Sequence, residues 1–502
     1  MKPKQTLHAC VLAIVTVLVG SGIILGQHRG SSRGSSSLTL KACTLPGEEL
    51  PAQCGSYEVF ENRTTKTGRR IGLNVVVIPA TGSQKEPDPM AYFAGGPGSA
   101  ATEEAAWLAK DFASILQKRD LLLVDQRGTG KSHPLNCELF NPGDLQSYLG
   151  YFFPLEAVKK CRQQLEAKAD LALYTTEIAM DDLDEVRAAL GYEKLNLFGA
   201  SYGTRAALTY LKRHPKHVRT VTLQGVSPTN HYIPMDFAAQ TERALQGVIE
   251  ECLADNDCGE TFPRLRAETK SVLDQLLKGP VEVVVKSSTP GNEGGARQTR
   301  VRLSRDLAAE AIRYMLYNPR PAGRLPLVLH LAAQGNYVPL AEAALRFREN
   351  IVASGSTGMY LSVTCAEDLP WVKAADVDRL SANTFLGDYR FRDQREACAL
   401  WPQGSISADY AKPVRSALPI LILSGKWDPV TPPENGDGVA RHLTNSLHVV
   451  VPHGAHGFGG LVGTDCLQRL VADFVKRGTK KGLDTGCVSG IKRQGWTLTQ
   501  AQ

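Results

Sequence analysis

Ser201 stands at the centre of Gly199-Ala200-Ser201-Tyr202-Gly203, a G-x-S-x-G pentad between an apolar run, Leu195–Phe198, and a helical pattern from Thr204 to His214. A strand that turns sharply into a helix strains its corner residue and holds that side chain clear of the sheet. The flanking glycines remove side chains that would collide across the turn. The helix that follows aims its N-terminal N–H groups and positive dipole end at the corner, where an oxyanion would form. Residue types and spacing therefore predict Ser201 as a nucleophile. A chance match is the competing reading in a chain with 46 glycines. The strand before and the helix after weigh against it.

A serine hydroxyl needs a base to take its proton and a carboxylate to orient that base. In wound α/β enzymes these follow the serine, carboxylate first and histidine second, on loops after later strands. Here Pro419–Leu423 runs into Trp427-Asp428-Pro429, and Leu447–Val451 runs into Pro452-His453-Gly454-Ala455-His456-Gly457. Asp428 and His456 are the predicted partners. His453 follows its strand almost directly, whereas His456 lies in a glycine-flanked loop that can turn back over Ser201. Asp437 is a weaker substitute for Asp428, whose other reading is a turn residue before Pro429. Thr431 either hydrogen-bonds the Asp428 loop or caps a helix ahead of Pro432.

The oxyanion hole needs two N–H donors. One is the amide of Tyr202. The other comes from Ala94-Gly95-Gly96-Pro97-Gly98, where Pro97 has no N–H and Gly96 is preferred to Gly95 or Gly98. A phosphate-binding loop is the alternative for that stretch, but the G-x-G-x-x-G and Walker spacings are missing. Gly128-Thr129-Gly130-Lys131-Ser132 ends like a Walker loop, yet Asp125 stands where its first glycine belongs. This chemistry calls for no cofactor and no metal.

Several elements must position these residues. Strand-like segments fall at Tyr57–Phe60, Ile71–Ile78, Met90–Phe93, Leu121–Val124, Leu195–Phe198 and Val218–Leu223, and again at Pro419–Leu423 and Leu447–Val451. Helical patterns separate them at Ala101–Lys118, Ala157–Ala167, Thr176–Leu190 and Thr204–His214. The alternation predicts a mostly parallel, doubly wound sheet. The interval after Gly225 is too long for one crossover and looks mainly helical: Met235–Ala254, Pro263–Lys278, Arg305–Tyr317, Ala322–Ala333 and Val338–Ala353. A hairpin joins Val281–Val285 to Thr299–Leu303 through a Gly-rich loop. This insertion reads as a lid over the sheet's C-terminal edge, where ligands bind in such folds. The resulting division is a core in two parts, 43–227 and 413–502, around a lid at 228–412.

A net charge of +6 is small for 502 residues, and no basic run is interleaved with aromatics, so nucleic acid is not an expected partner. Lys2 and Lys4 precede an apolar run within 1–26, which reads as an export signal or an uncleaved anchor tethering the protein to a membrane. A Ser/Gly-rich linker, 27–42, follows. Cys10 lies in the apolar run. The other ten cysteines fall into sequence-local couples: Cys43 with Cys54, Cys137 with Cys161, Cys252 with Cys258, Cys365 with Cys398, and Cys466 with Cys487. Nearest-neighbour disulfides are predicted, and with them an exported protein: secreted, periplasmic or held at the cell surface. Metal binding is the weaker reading, since there is no C-x-x-C and no histidine at ligand spacing beside them.

Gly95 to Gly98, Asp125-Gln126-Arg127-Gly128-Thr129-Gly130-Lys131-Ser132 and Gly199 to Gly203 resemble the proline iminopeptidase group of α/β-hydrolases. Cys365-Ala366-Glu367-Asp368, Asp428-Pro429-Val430-Thr431-Pro432 and the segment Cys466 to Cys487 are similar to the exported tripeptidyl aminopeptidase branch. The resemblance implies an α/β-hydrolase fold and a serine peptidase that removes short N-terminal units from peptides through an acyl-enzyme on Ser201. An aminopeptidase must recognise a free ammonium, which a buried carboxylate does best. Glu367, held beneath the lid by a Cys365–Cys398 bridge, is the candidate, against a plain solvated turn before Leu369-Pro370. Asp125 and Arg127 are expected to form an ion pair supporting the oxyanion loop. A carboxylesterase would use the same triad, and a non-catalytic binding protein of this fold would be expected to lack it.

Overall fold

The computed structural model describes residues 38–45, 48–290 and 296–500. The expected export signal or anchor at 1–26, most of the linker and the tip of the insertion's hairpin lie outside them. The described residues all fall within one compact unit, so the insertion is packed into the same body as the sheet. Among the described residues no helix is long and apolar enough to cross a membrane.

The strands in chain order are β1 (Lys41–Leu45), β2 (Glu48–Phe60), β3 (Arg70–Ile78), β4 (Met90–Phe93), β5 (Leu121–Val124), β6 (Leu195–Ala200), β7 (Val218–Gln224), β8 (Val281–Pro290), β9 (Ala296–Leu303), β10 (Ile420–Gly425), β11 (Ser446–Val451), β12 (Leu461–Val462) and β13 (Lys492–Arg493). Nine of them form one sheet in the order β1-β2-β3-β5-β4-β6-β7-β10-β11. It is antiparallel from β1 to β5 and parallel from β5 to β11. β8 and β9 make the expected hairpin, with Val281 opposite Leu303 and Val285 opposite Thr299.

Central strands are apolar on both sides, as a sheet covered by helices on each face requires. Val76, Tyr92, Leu123 and Leu421 pack on one face with the helices at Ala105–Asp111 and Asp465–Arg477. Val75, Phe93, Leu122 and Ile422 pack on the other with Thr176–Ala189 and Tyr202–Arg213. The insertion between β7 and β10 has its own core, in which Phe237, Leu307, Ile312 and Leu340 are buried. A further cluster joins Leu135, Tyr174 and Tyr202 to Met359, Cys365 and Trp401.

Three expectations need correction. The predicted linker ends too late, because Lys41 and Ala42 already lie in β1 and pair with Cys54 and Gln53. Ala101–Lys118 is not one helix: a 3-10 turn at Ala101–Glu104 precedes Ala105–Asp111 and Ala113–Leu116. Asp125 holds that first turn by accepting from the Thr102 N–H and hydroxyl, both at 2.9 Å. Ala322–Ala333 is likewise split into Pro319–Ala322 and Leu325–Ala333. Pro326 cannot continue a helix through Gly323, since its ring would clash one turn back.

The helix at Tyr202–Arg213 crosses β4 at very close range. A Cβ on Gly203 would lie 1.9 Å from the Phe93 carbonyl oxygen, and one on Gly199 would lie 2.3 Å from the Gly203 oxygen. These are backbone atoms that cannot step aside. Gly203→Ala is expected to lower stability by roughly 1–3 kcal/mol or more, as overpacking does, and to displace Ser201. Thermal melts together with the rate of fluorophosphonate labelling check both effects.

Candidate active site

Ser201 takes φ 56°, ψ −127°, a conformation that a non-glycine residue holds only under constraint. The constraint is visible on both sides. Its N–H donates to the Gln224 carbonyl at 2.9 Å, and its own carbonyl accepts from the Thr204 N–H at 2.9 Å and hydroxyl at 2.6 Å. Tyr202 opens the helix, so its amide sits at the positive end of the helix dipole. Across the turn lies the glycine loop after β4. A Cβ on Gly95 would meet the Ser201 Cβ at 3.3 Å and Oγ at 3.7 Å. Gly96, at φ 109°, lines the same cavity as Ser201.

Asp428 is fully buried at the C-terminal end of β10. One carboxylate oxygen accepts from the Val430 and Thr431 amides at 2.8 Å each, and the other from the Thr431 hydroxyl at 2.8 Å. His456 Nδ1 lies 2.9 Å from that second oxygen and 2.9 Å from Thr431 Oγ1. Burial alone would raise the Asp428 pKa, but the adjacent His456 and these donors outweigh it and hold the carboxyl below its ordinary value. The Thr431 hydroxyl thus binds the Asp428 loop, and the following helix begins at Pro433 with Pro432 as its cap.

Adjacent residues hold Ser201 and His456. Gln224 accepts from the Ser201 amide, and a Cβ on the next residue, Gly225, would touch His456 Cε1 at 3.3 Å. Ser201, Thr431 and His456 line one cavity of about 310 Å3 beneath the insertion. The insertion also grips the histidine. Tyr317 packs edge-on against its ring at 5.1 Å, and the Gly457 N–H donates to the Tyr317 carbonyl at 2.8 Å. Gly98 makes the matching tie at the glycine loop after β4, its carbonyl accepting from the Ser356 amide at 3.0 Å.

The rejected alternatives have other partners. His453 Nδ1 is 2.8 Å from Glu251, which also takes the Trp427 indole N–H and Arg493. Asp437 pairs with His448. The five sequence-local cysteine couples are each bridged: Cys43–Cys54, Cys137–Cys161, Cys252–Cys258, Cys365–Cys398 and Cys466–Cys487.

Two expectations fail. Glu367 does not line the cavity. It is fully buried behind Tyr202, where its oxygens accept from the Thr176 amide (2.6 Å) and hydroxyl (2.8 Å) and from the Tyr410 hydroxyl. Arg205 lies 3.7 Å away and 2.9 Å from Asp368. Buried and engaged by these donors, Glu367 braces the underside of the Tyr202–Arg213 helix and is out of reach of a substrate amine. Asp125 and Arg127 also do not pair. Arg127 forks onto Asp182 at 2.6 and 2.9 Å, while Asp125 takes Thr102, Lys131 N–H and Asn74. Sequence reasoning missed Tyr317 and the cavity arginines Arg313, Arg348 and Arg390, which no motif or spacing marks.

Comparison with known proteins agrees with this architecture. A family model described as alpha/beta hydrolase fold matches residues 88–259, and one described as TAP-like protein matches residues 383–487. Serine protease Hip1 of Mycobacterium tuberculosis is 25% identical over 94% of this chain and 95% of its own length. Tripeptidyl aminopeptidase of Streptomyces lividans is 26% identical over 87% of this chain and 84% of its own. Carboxylesterase B of Mycobacterium tuberculosis is 27% identical over 85% of each.

If Asp428 orients His456, Asp428→Asn should cut turnover by roughly 10^4-fold through the wrong imidazole tautomer. Its stability effect has a defined sign. A carboxyl held below its unfolded value of about 3.9 contributes fully above that pH and loses the contribution as pH falls through the folded value. The melting-temperature gap between wild type and Asp428→Asn should therefore be widest near neutral pH and narrow on acidification.

Proposed function

We propose that this chain, which belongs to the α/β-hydrolases and carries a TAP-like C-terminal segment, is an exported serine aminopeptidase that cleaves short N-terminal units from peptides. The observation that carries the reading is His456, held by the buried Asp428, lining one cavity with the strained Ser201. Ser201 Oγ attacks the scissile carbonyl while His456 Nε2 accepts its proton. Asp428 keeps the Nδ1–H of His456 in place and stabilises the imidazolium. The Tyr202 and Gly96 amides receive the oxyanion. Collapse of the tetrahedral intermediate passes the proton from His456 to the leaving amine and leaves an acyl-enzyme. Water, activated by the same histidine, then releases the acid.

Similarity to a tripeptidyl aminopeptidase and to a serine protease along most of the chain supports a peptide substrate. Five disulfides support an oxidising compartment outside the cytoplasm. The second reading is a carboxylesterase. It is favoured by one feature, a cavity whose described lining residues are mainly apolar, with three arginines and no acidic side chain to take an ammonium.

Ser201→Ala should abolish fluorophosphonate labelling while leaving the melting profile intact; persistent labelling would put the nucleophile elsewhere. A panel of tripeptidyl, N-blocked tripeptidyl and short acyl-ester chromogenic substrates then separates the two readings. The aminopeptidase is expected to prefer the free tripeptidyl substrate by kcat/KM, and an esterase to prefer the acyl ester.

A further inference from the structure

Three guanidinium groups, those of Arg313, Arg348 and Arg390, line the cavity that holds Ser201 and His456. All are nearly sealed from solvent, at 3%, 1% and 3% exposure. Two carboxylates stand near them. Glu310 is 2.8 Å from Arg313 and 3.3 Å from Arg390. Asp393, on the helix that carries Arg390, takes the Phe152 amide at 2.8 Å. Arg348 is the exception. Among the described residues no carboxylate lies within ion-pair distance of it; it donates to the Gly150 carbonyl at 3.1 Å, while its Nε and Nη1 have no hydrogen-bond partner. Arg390 Nη1 has none either.

The Phe152 ring organises the pair. The Arg390 guanidinium carbon lies 3.4 Å and that of Arg348 4.4 Å from its centroid. Stacking on aromatic rings occupies the guanidinium faces and leaves the N–H edges for another acceptor. A buried charge is normally paired, because desolvating it alone is costly. Burial pushes the Arg348 pKa down to about 9, with Glu310 opposing and Arg390 adding to the fall, so the group stays charged at neutral pH. The residues lining the cavity therefore carry buried positive charge and guanidinium N–H groups without a hydrogen-bond partner among the described residues.

We propose that Arg348 and Arg390 form an anion subsite that binds a carboxylate of the substrate, from an acidic side chain or from a free C-terminus. A guanidinium edge receives a carboxylate through paired, charge-assisted hydrogen bonds, and a water-excluded site strengthens them. The inference rests on Ser201 being the nucleophile of the cavity, and its test does not require turnover.

In the Ser201→Ala protein, calorimetry measures binding of two probe pairs: Ala-Ala-Glu-amide against Ala-Ala-Gln-amide, and Ala-Ala-Ala against Ala-Ala-Ala-amide. The acid of at least one pair should bind about 10-fold or more tighter than its neutral isostere. Preference within the first pair identifies a side-chain carboxylate, and within the second a C-terminal one. Added Arg348→Met should bring that ratio close to one, and Arg348→Lys should retain part of it. Arg390→Met makes the same comparison should Arg348→Met fail to fold. Equal binding within both pairs, or a preference that survives loss of either arginine, overturns the proposal. A misassigned nucleophile is read separately, as fluorophosphonate labelling that persists in Ser201→Ala.

Discussion

The approach of the Tyr202–Arg213 helix to β4 at Gly203 is the constraint on which the site depends. With no side chain there, the helix axis drops against the Phe93 carbonyl, and Ser201, the residue ahead of the helix, completes the turn in a strained conformation. That turn places the Ser201 side chain above the sheet edge and beside Gly95. The strain is held by hydrogen bonds on both sides of the corner and by the buried Glu367–Thr176–Tyr410 network beneath Tyr202. A local backbone conformation is thus stabilised by contacts from residues far away in the chain.

The second organising element is the insertion, which supplies walls to the site as well as a roof. Its core is apolar, yet the face it turns to the cavity carries Arg313, Arg348 and Arg390 around Phe152 and Phe237. Helices built for packing would not place three buried cations around one cavity without balancing partners, and Glu310 and Asp393 supply two carboxylates against three arginines. The excess separates this cavity from a plain apolar acyl pocket.

Much of the core was legible in the sequence, because its signals are local. β4 and β5 are apolar runs bounded by turn residues, and each has the predicted limits. G-x-S-x-G encodes a steric requirement within five residues, and Asp428 and His456 each follow a recognisable strand. The cysteines were readable because each couple is close in sequence. What escaped depends on distant encounters. Glu367 reads as the buried carboxylate for a substrate ammonium because nothing nearby announces that Thr176, Tyr410 and Arg205 converge on it. Arg127 found Asp182 rather than its neighbour Asp125 for the same reason. Arg348 and Arg390 lie on separate helices and meet only across Phe152.

The two ties between insertion and core, Gly457 to Tyr317 and Gly98 to Ser356, have an effect on how such a protein can change. One steadies the loop of the His456 imidazole and the other the glycine loop after β4. Pruning the insertion to widen the entrance would remove a wall from each, so a roomier mouth comes with slacker chemistry. Variation in substrate range is then channelled toward exchanging side chains on the existing helices rather than deleting them.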